Sequence, residues 1–179
     1  MANRQTNMIL FYGDAVTDVS TTQKYVLGTK REEEGQTYRY VQRNDATVTI
    51  AAGDLVYRGS TQATFWEITG DVSDCDSAFA AGVAQGAIAD AGFGWIKTKG
   101  YEATLKKLNG TAAYSLLKGD ALIAAHSSTS DGKVQRAVIA ASTKVSAAEL
   151  RKVMERVIGF AAAAATNSAV AVAAYIDLE

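Results

Sequence analysis

A glycine-rich stretch from Ala81 to Tyr101 limits the folds open to this chain more than any other segment does. Its glycines are Gly82, Gly86, Gly92, Gly94 and Gly100, and apolar residues separate them. Because glycine tolerates positive φ and close backbone approach, this spacing predicts turns and bends in a twisted sheet. The stretch contains no nucleophile, base or metal-ligand pair. It is typical of a surface that packs against another surface.

The rest of the chain predicts a mainly β fold, because short alternating or β-branched segments are bounded by turn residues. Two Gly-Asp pairs, Gly53-Asp54 and Gly119-Asp120, are each predicted to form a turn that releases a strand. The charged run 29–34 is predicted to be a loop. The predicted strands are 23–27, 37–41, 46–50, 55–57, 64–68, 83–88, 94–97, 98–108, 121–122 and 134–140. Within 98–108 a helical turn is the alternative, but the Asn-Gly pair that follows favours a strand that ends in a tight turn. The expected architecture is a compact β-barrel or β-sandwich.

One short α-helix is predicted at about 146–158. Ser146 and Glu149 form a capping box, and the apolar residues that follow recur at helical spacing as far as Val157. The last twenty residues carry conflicting signals for secondary structure. Their alanine run favours helix, whereas a turn cluster at 166–168 followed by β-branched residues favours strands. We expect a closing hairpin there, in which alanines let facing backbones approach.

The chain is predicted to have an extended N-terminal arm, residues 1–20, and one β-rich domain, residues 21–179. The arm lacks a sustained period, yet part of it is too apolar for a free tail. Either this part joins the protein's own sheet or it docks on a partner as an added strand. The apolar residues are Met8, Ile9, Leu10, Phe11 and Tyr12.

Charge is balanced overall but segregated along the chain. The formal net charge is −1, which predicts neither a nucleic-acid partner nor a membrane partner. Residues 51–95 carry six carboxylates and one arginine, whereas residues 96–118 carry five lysines and one carboxylate. Two solvated surfaces would explain this, as would complementary patches on neighbouring subunits. The boundary makes Trp95, Lys97 and Lys99 candidate partner-contact residues.

No catalytic, cofactor-binding or metal-binding set emerges from the sequence. His126 is the single histidine, and a small hydrolase that uses it with a nearby serine is a weak alternative, since neighbouring residues rarely activate one another. Cys75 is the single cysteine, and its flanking aspartates would raise its pKa and make it a poor nucleophile. We therefore expect a protein that is not an enzyme and needs no cofactor.

Several short motifs, taken in order, resemble the capsid decoration (cement) proteins and related small virion structural proteins of tailed phages. The motifs are 52–54, Ala81–Ile88, Gly94–Ile96, Gly100, 119–122 and 158–161, followed by a β C-terminus. The resemblance covers roughly residues 48–178. The chain differs from a minimal cement protein in its length, its charged 30–34 segment and its capped helix.

The resemblance implies a non-enzymatic structural protein that binds the outside of an icosahedral capsid and stabilises it. It also implies a homotrimer, contact with the major capsid protein, and an arm that reaches the shell. The expected location is the virion, after synthesis in the host cytoplasm. A tail, neck or minor capsid protein is the main alternative.

Overall fold

The computed structural model describes residues 13–58, 65–71, 80–110, 115–125, 131–137 and 157–178. Within these ranges the chain forms strands and turns and contains no helix. The strands are β1 (Lys30–Glu33), β2 (Gln36–Arg43), β3 (Leu55–Arg58), β4 (Glu67–Thr69), β5 (Ala80–Ala84), β6 (Phe93–Lys106), β7 (Ala121–Ala124), β8 (Val134–Arg136), β9 (Val157–Ala161) and β10 (Ala171–Asp177). The prediction of a compact, mainly β fold is confirmed.

All ten strands belong to one sheet, in the order β1-β2-β4-β3-β5-β6-β10-β9-β7-β8. An additional antiparallel pairing joins β2 to β6 and closes part of the sheet. Strands β2, β4, β3, β5 and the first half of β6 therefore form a ring. The remaining strands continue from the second half of β6.

The two Gly-Asp turns form as predicted and share their atomic detail. Gly53 and Gly119 have φ of 83° and 91°, which glycine adopts without strain. Each following aspartate accepts a hydrogen bond from the backbone N–H three residues earlier: Asp54 from Ala51 at 2.7 Å, and Asp120 from Leu117 at 2.8 Å. These bonds close each turn and direct the chain into β3 or β7.

Four local predictions are wrong. Residues 23–27 and 46–50 are not strands, the predicted strand 83–88 ends at Ala84, and the segment predicted as a loop contains strand β1. In the 46–50 segment Asp45 accepts hydrogen bonds from the backbone and hydroxyl of Thr47, which compete with strand pairing. Strand β1 lies at the sheet edge, where charged side chains remain solvated and discourage further pairing.

The C-terminal hairpin is confirmed, whereas the end of the predicted helix is wrong. Strand β9 begins at Val157, so Val157 and Ile158 are extended, and β9 pairs with β10 in antiparallel register. Residues 146–156 of the predicted helix lie outside the described residues. Gly159 permits this strand pairing, because a Cβ there would collide with the carbonyl oxygen of Tyr175 on β10.

The sheet contains the same five-stranded arrangement twice. The first unit comprises β2, β3, β4, β5 and residues 93–99 of β6; the second comprises residues 101–106 of β6 and strands β7, β8, β9 and β10. In each unit the second strand pairs antiparallel with the third and fourth, and the fifth strand pairs antiparallel with the fourth and first. The first and third strands lie parallel, through a single bridge in the second unit.

Backbone hydrogen bonds repeat between the units. Gly53 donates to Ala84, and Ala84 donates back to Asp54. The same two bonds join Gly119, Ala161 and Asp120 in the second unit. Both units also have a register shift where the second strand pairs with the fourth. The two units therefore share their turn hydrogen bonds and register shifts as well as their strand order.

Matching positions line the interiors of both units. The pairs, first unit then second, are Val41 and Leu105, Ile50 and Leu116, Val56 and Leu122, Ile68 and Val134, Ala81 and Ile158, Ala84 and Ala161, Ile88 and Ala165, and Ile96 and Ala174. Large and small residues exchange places in several pairs, so similar interior volumes are filled by different side chains.

Candidate interaction surface

Three exposed aromatic side chains form a row across neighbouring strands of the second unit. Tyr101 on β6 pairs with Tyr175 on β10, which in turn pairs with Phe160 on β9. Their exposed fractions are 44%, 59% and 53%, and the two tyrosine rings are 5.5 Å apart. We call these three residues the aromatic face. Exposed aromatic residues in a contiguous patch mark a surface suited to protein contact.

The local sequence explains why these rings point outward. Along β10, Val172, Ala174 and Ile176 are buried while Tyr175 is exposed, as the period of two in a strand requires. Gly100, with φ of 116°, bends β6 immediately before Tyr101. The surface is therefore built on paired strands rather than on a loop.

One charged pair borders the aromatic face. Lys99 lies two residues before Tyr101 and Asp177 two residues after Tyr175, so both occupy the same side of the sheet. Their Nζ and Oδ1 atoms are 3.8 Å apart, and both side chains are more than half exposed. A pair this exposed contributes little stability, so its charges remain available to a partner.

The matching row in the first unit is buried. It consists of Tyr38, Lys97 and Val83, which pair across β2, β6 and β5 and are at most 5% exposed. Lys97 forms an ion pair of 3.0 Å with Glu102 and donates to the Tyr101 carbonyl at 2.8 Å. The start of the second unit therefore covers this row.

Glu102 remains charged although it is buried. Burial raises the pKa of its carboxyl, but hydrogen bonds from Gln85, Lys97 and the Thr104 backbone outweigh that effect, and the net pKa is lowered. Gln85 donates to Glu102 at 3.1 Å, and Thr104 donates at 3.0 Å. These bonds hold the ion pair that joins the two units.

The three contact residues that were predicted from the charge boundary differ in their exposure to solvent. Trp95 and Lys97 are 1% and 5% exposed, so within the described chain neither presents a surface to a partner. Lys99 is exposed and lies at the rim of the aromatic face. The predicted contact residues Met8, Ile9, Leu10, Phe11 and Tyr12 lie outside the described residues.

The described part of the predicted arm packs on the chain's own first unit. Ser20 forms an antiparallel bridge with Phe93, and Tyr25 lies 5.4 Å from Trp95 between ring centroids. The Tyr25 hydroxyl donates to Asp14 at 2.7 Å, and this bond, together with that from Lys24, lowers the pKa of the Asp14 carboxyl. Residues 13–27 thereby cover aromatic residues that would otherwise be exposed.

A second aromatic cluster combines rings with guanidinium groups. The Arg58 guanidinium carbon lies 3.9 Å from the Phe65 ring centroid and 5.1 Å from that of Trp66. Arg39 lies 5.3 Å from the same Trp66 ring. Burial, together with the charge of Arg39, lowers the pKa of Arg58. Two guanidinium groups thus pack on the Trp66 ring, and these cation–π contacts stabilise this end of the sheet.

The two residues that the sequence offered for catalytic chemistry do not lie in the part of the chain that the structure describes. His126 and Cys75 both lie outside it. Among the described residues, no three histidine, cysteine, aspartate or glutamate side chains converge as a metal site. A search of the same residues finds no helix with the length and apolar character needed to cross a membrane.

Comparison with known proteins assigns the chain to no family: no family model matches its sequence, and no curated protein matches it. The candidate surface therefore depends on geometry. Sequence reasoning named Lys99 but missed Tyr101, Phe160 and Tyr175. The signal in the sequence was the period-two alternation around Tyr175. It places the Tyr175 ring on one face of the sheet and the neighbouring alanine and isoleucine on the other, buried face.

Proposed function

We propose that this chain is a non-enzymatic structural protein that binds the outside of an icosahedral phage capsid and stabilises it. The aromatic face is the observation that carries this proposal, because three exposed aromatic side chains on paired strands form a surface suited to the protein contacts of an assembly, with the shell or with further copies of the chain. Tyrosine is enriched among residues that dominate interface binding energy. The resemblance to decoration proteins supports the choice of a capsid as the structure to be bound.

The proposed partners are the major capsid protein and further copies of this chain, in a homotrimer. Binding of this kind needs complementary surfaces and no cofactor. A shell repeats its binding sites many times, so modest contacts made by each copy of an oligomer combine into strong attachment. The arm residues 8–12 are the proposed shell contact, and the virion is the proposed location.

The finer architecture belongs to the same proposal. We propose that the five-stranded ring of the first unit acts as a small barrel that supports the surface, and that residues 146–156 form the capped helix. A ring of paired strands leaves few free edges, which favours solubility before assembly.

The direct test is quantitative mass spectrometry and immunogold labelling of purified tailed-phage particles from the source that encodes this chain. We expect the chain at a fixed ratio to the major capsid protein, with label on the head. Particles that lack the chain would exclude the proposal. Label confined to the tail or neck would favour the alternative virion role.

Deletion of residues 1–13 tests whether the apolar part of the arm contributes to capsid binding. We expect the truncated chain to keep the β-sheet circular dichroism of the full chain and to co-sediment less with capsids. Undiminished co-sedimentation would remove the arm from the mechanism.

A further inference from the structure

We propose that the aromatic face is the contact between copies of this chain, and that a second copy covers Tyr101, Tyr175 and Phe160. This inference rests on the proposed assembly role but names the partner of the face, which is the chain itself rather than the shell. It follows from the internal repeat, because one chain already shows how a face at this position becomes covered.

The two rows occupy matching register positions. Lys97 pairs with both Tyr38 and Val83, just as Tyr175 pairs with both Tyr101 and Phe160. The first row is almost completely buried, whereas each member of the second is about half exposed. The difference lies in what is packed on the outside, since strand order and pairing are the same.

The second unit of the same chain covers Lys97 and Val83 of the first row, while Tyr38 packs with Tyr40, Phe93 and Trp95. Glu102 pairs with Lys97 from outside, and Val83 belongs to one buried cluster with Leu105 and Leu122 from the second unit's interior. Leu55 also joins that cluster, and its backbone N–H donates to Gly132 at 2.8 Å. One five-stranded unit thus packs on the outer face of another. A second copy supplies the next such unit.

The size and charge of the face fit that occupant. Three half-exposed aromatic side chains present on the order of 300 Å² of ring surface, which is the core of an interface that buries about 800 Å² on each partner. Lys99 and Asp177 add one charge of each sign at the rim, and a second copy carries both opposite charges. A head-to-tail contact can close into a ring, which is compatible with the proposed trimer.

The test is the oligomeric state of the free full-length chain, measured by sedimentation velocity from about 0.1 to 100 μM. We expect an oligomer in the wild type. The double variant Tyr175→Thr, Phe160→Thr should weaken association at least 100-fold, about 2.7 kcal/mol. Threonine keeps β propensity at both positions, and a thermal melt checks that the variant folds. Phe65→Thr is the matched control, because Phe65 is 62% exposed but lies outside the aromatic face.

A measurement without variants addresses the same question. Hydrogen exchange of the wild type should show peptides that contain residues 157–161 and 171–177 losing protection on dilution, while peptides from β2 do not. A chain that is monomeric throughout, or an oligomer unaffected by the double variant, would overturn the inference. Capsid binding is measured separately, so a self-associating chain absent from virions would contradict the proposed function alone.

Discussion

At the residue scale, two glycines let neighbouring strands approach in the same way in both units. A Cβ at Gly82 would lie 2.8 Å from the carbonyl oxygen of Lys97, and a Cβ at Gly159 would collide with that of Tyr175. Lys97 and Tyr175 are matching positions of the repeat. Glycine here is a packing requirement, because neither glycine has the positive φ that would explain it by conformation.

The buried pair of Glu102 and Lys97 gives a pH dependence. The folded-state pKa of Glu102 lies below its usual 4.5, so its ionisation stabilises the fold above about pH 5, and this contribution is lost as the pH falls below 4.5. We expect Glu102→Gln to lower stability at pH 7 by about 3 kcal/mol, because Lys97 loses its partner. The variant should also lose less stability than the wild type between pH 5 and 3.

Thermal melts across this pH range check both expectations. At pH 7 the melting temperature of Glu102→Gln should fall by about 6–12 °C. Glu34→Gln, at an exposed hairpin turn, is the control and should melt like the wild type. Parallel pH profiles for Glu102→Gln and wild type would contradict the role assigned to this carboxylate.

At the scale of elements, the two units fill matching interiors with exchanged side chains. Ile88 and Gly94 in the first unit correspond to Ala165 and Val172 in the second. A Cβ at Gly94 would lie 2.9 Å from the Ile88 side chain. A large residue at one position therefore requires a small one at the other, and the second unit uses the reverse combination.

A double-mutant cycle tests this exchange. Ile88→Ala should cost about 2–4 kcal/mol by leaving a cavity, and Gly94→Val about 1–3 kcal/mol by overpacking. The double variant reproduces the second unit's combination, so it should be at least 1 kcal/mol more stable than the sum of the single costs predicts. Urea unfolding supplies the three values, and simple additivity would show that the two positions do not share space.

At the scale of the whole molecule, the two units share one buried cluster. Leu55, Tyr57 and Val83 belong to the first unit's strands, yet they pack with the interior residues of the second. Strand β6 also runs through both units. Neither unit can unfold without exposing apolar surface of the other, so the repeat does not create two independent domains.

We therefore expect one cooperative unfolding transition. Trp66 and Trp95 both lie in the first unit, so tryptophan fluorescence reports on that unit, whereas far-ultraviolet circular dichroism reports on both. The two urea curves should have the same midpoint. Leu55→Ala should lower the free energy of unfolding by about 2–5 kcal/mol and shift both midpoints equally. Separate midpoints in the wild type would indicate that the units unfold independently.

Local chemistry alone determined the elements whose signals lie close together along the chain. Gly53-Asp54 and Gly119-Asp120 form the predicted turns because the glycine conformation and the aspartate hydrogen bond involve residues within one turn. The C-terminal hairpin was predictable for the same reason. Strand β1 was not, because its charged residues become extended only through pairing with β2.

Only the tertiary structure decided which surfaces are covered. Trp95 and Lys97 lie on strand β6. The sequence pattern of this strand does not tell whether their side chains are buried by other parts of the chain or exposed to a partner. Residues 13–27 and Glu102 cover them through contacts between distant parts of the chain. Tyr101, Phe160 and Tyr175 come together because three strands align in register, and register depends on the whole sheet. The glycine-rich sequence predicted a packing surface, but three-dimensional pairing determined that the row at Lys97 is covered and that the aromatic face is exposed.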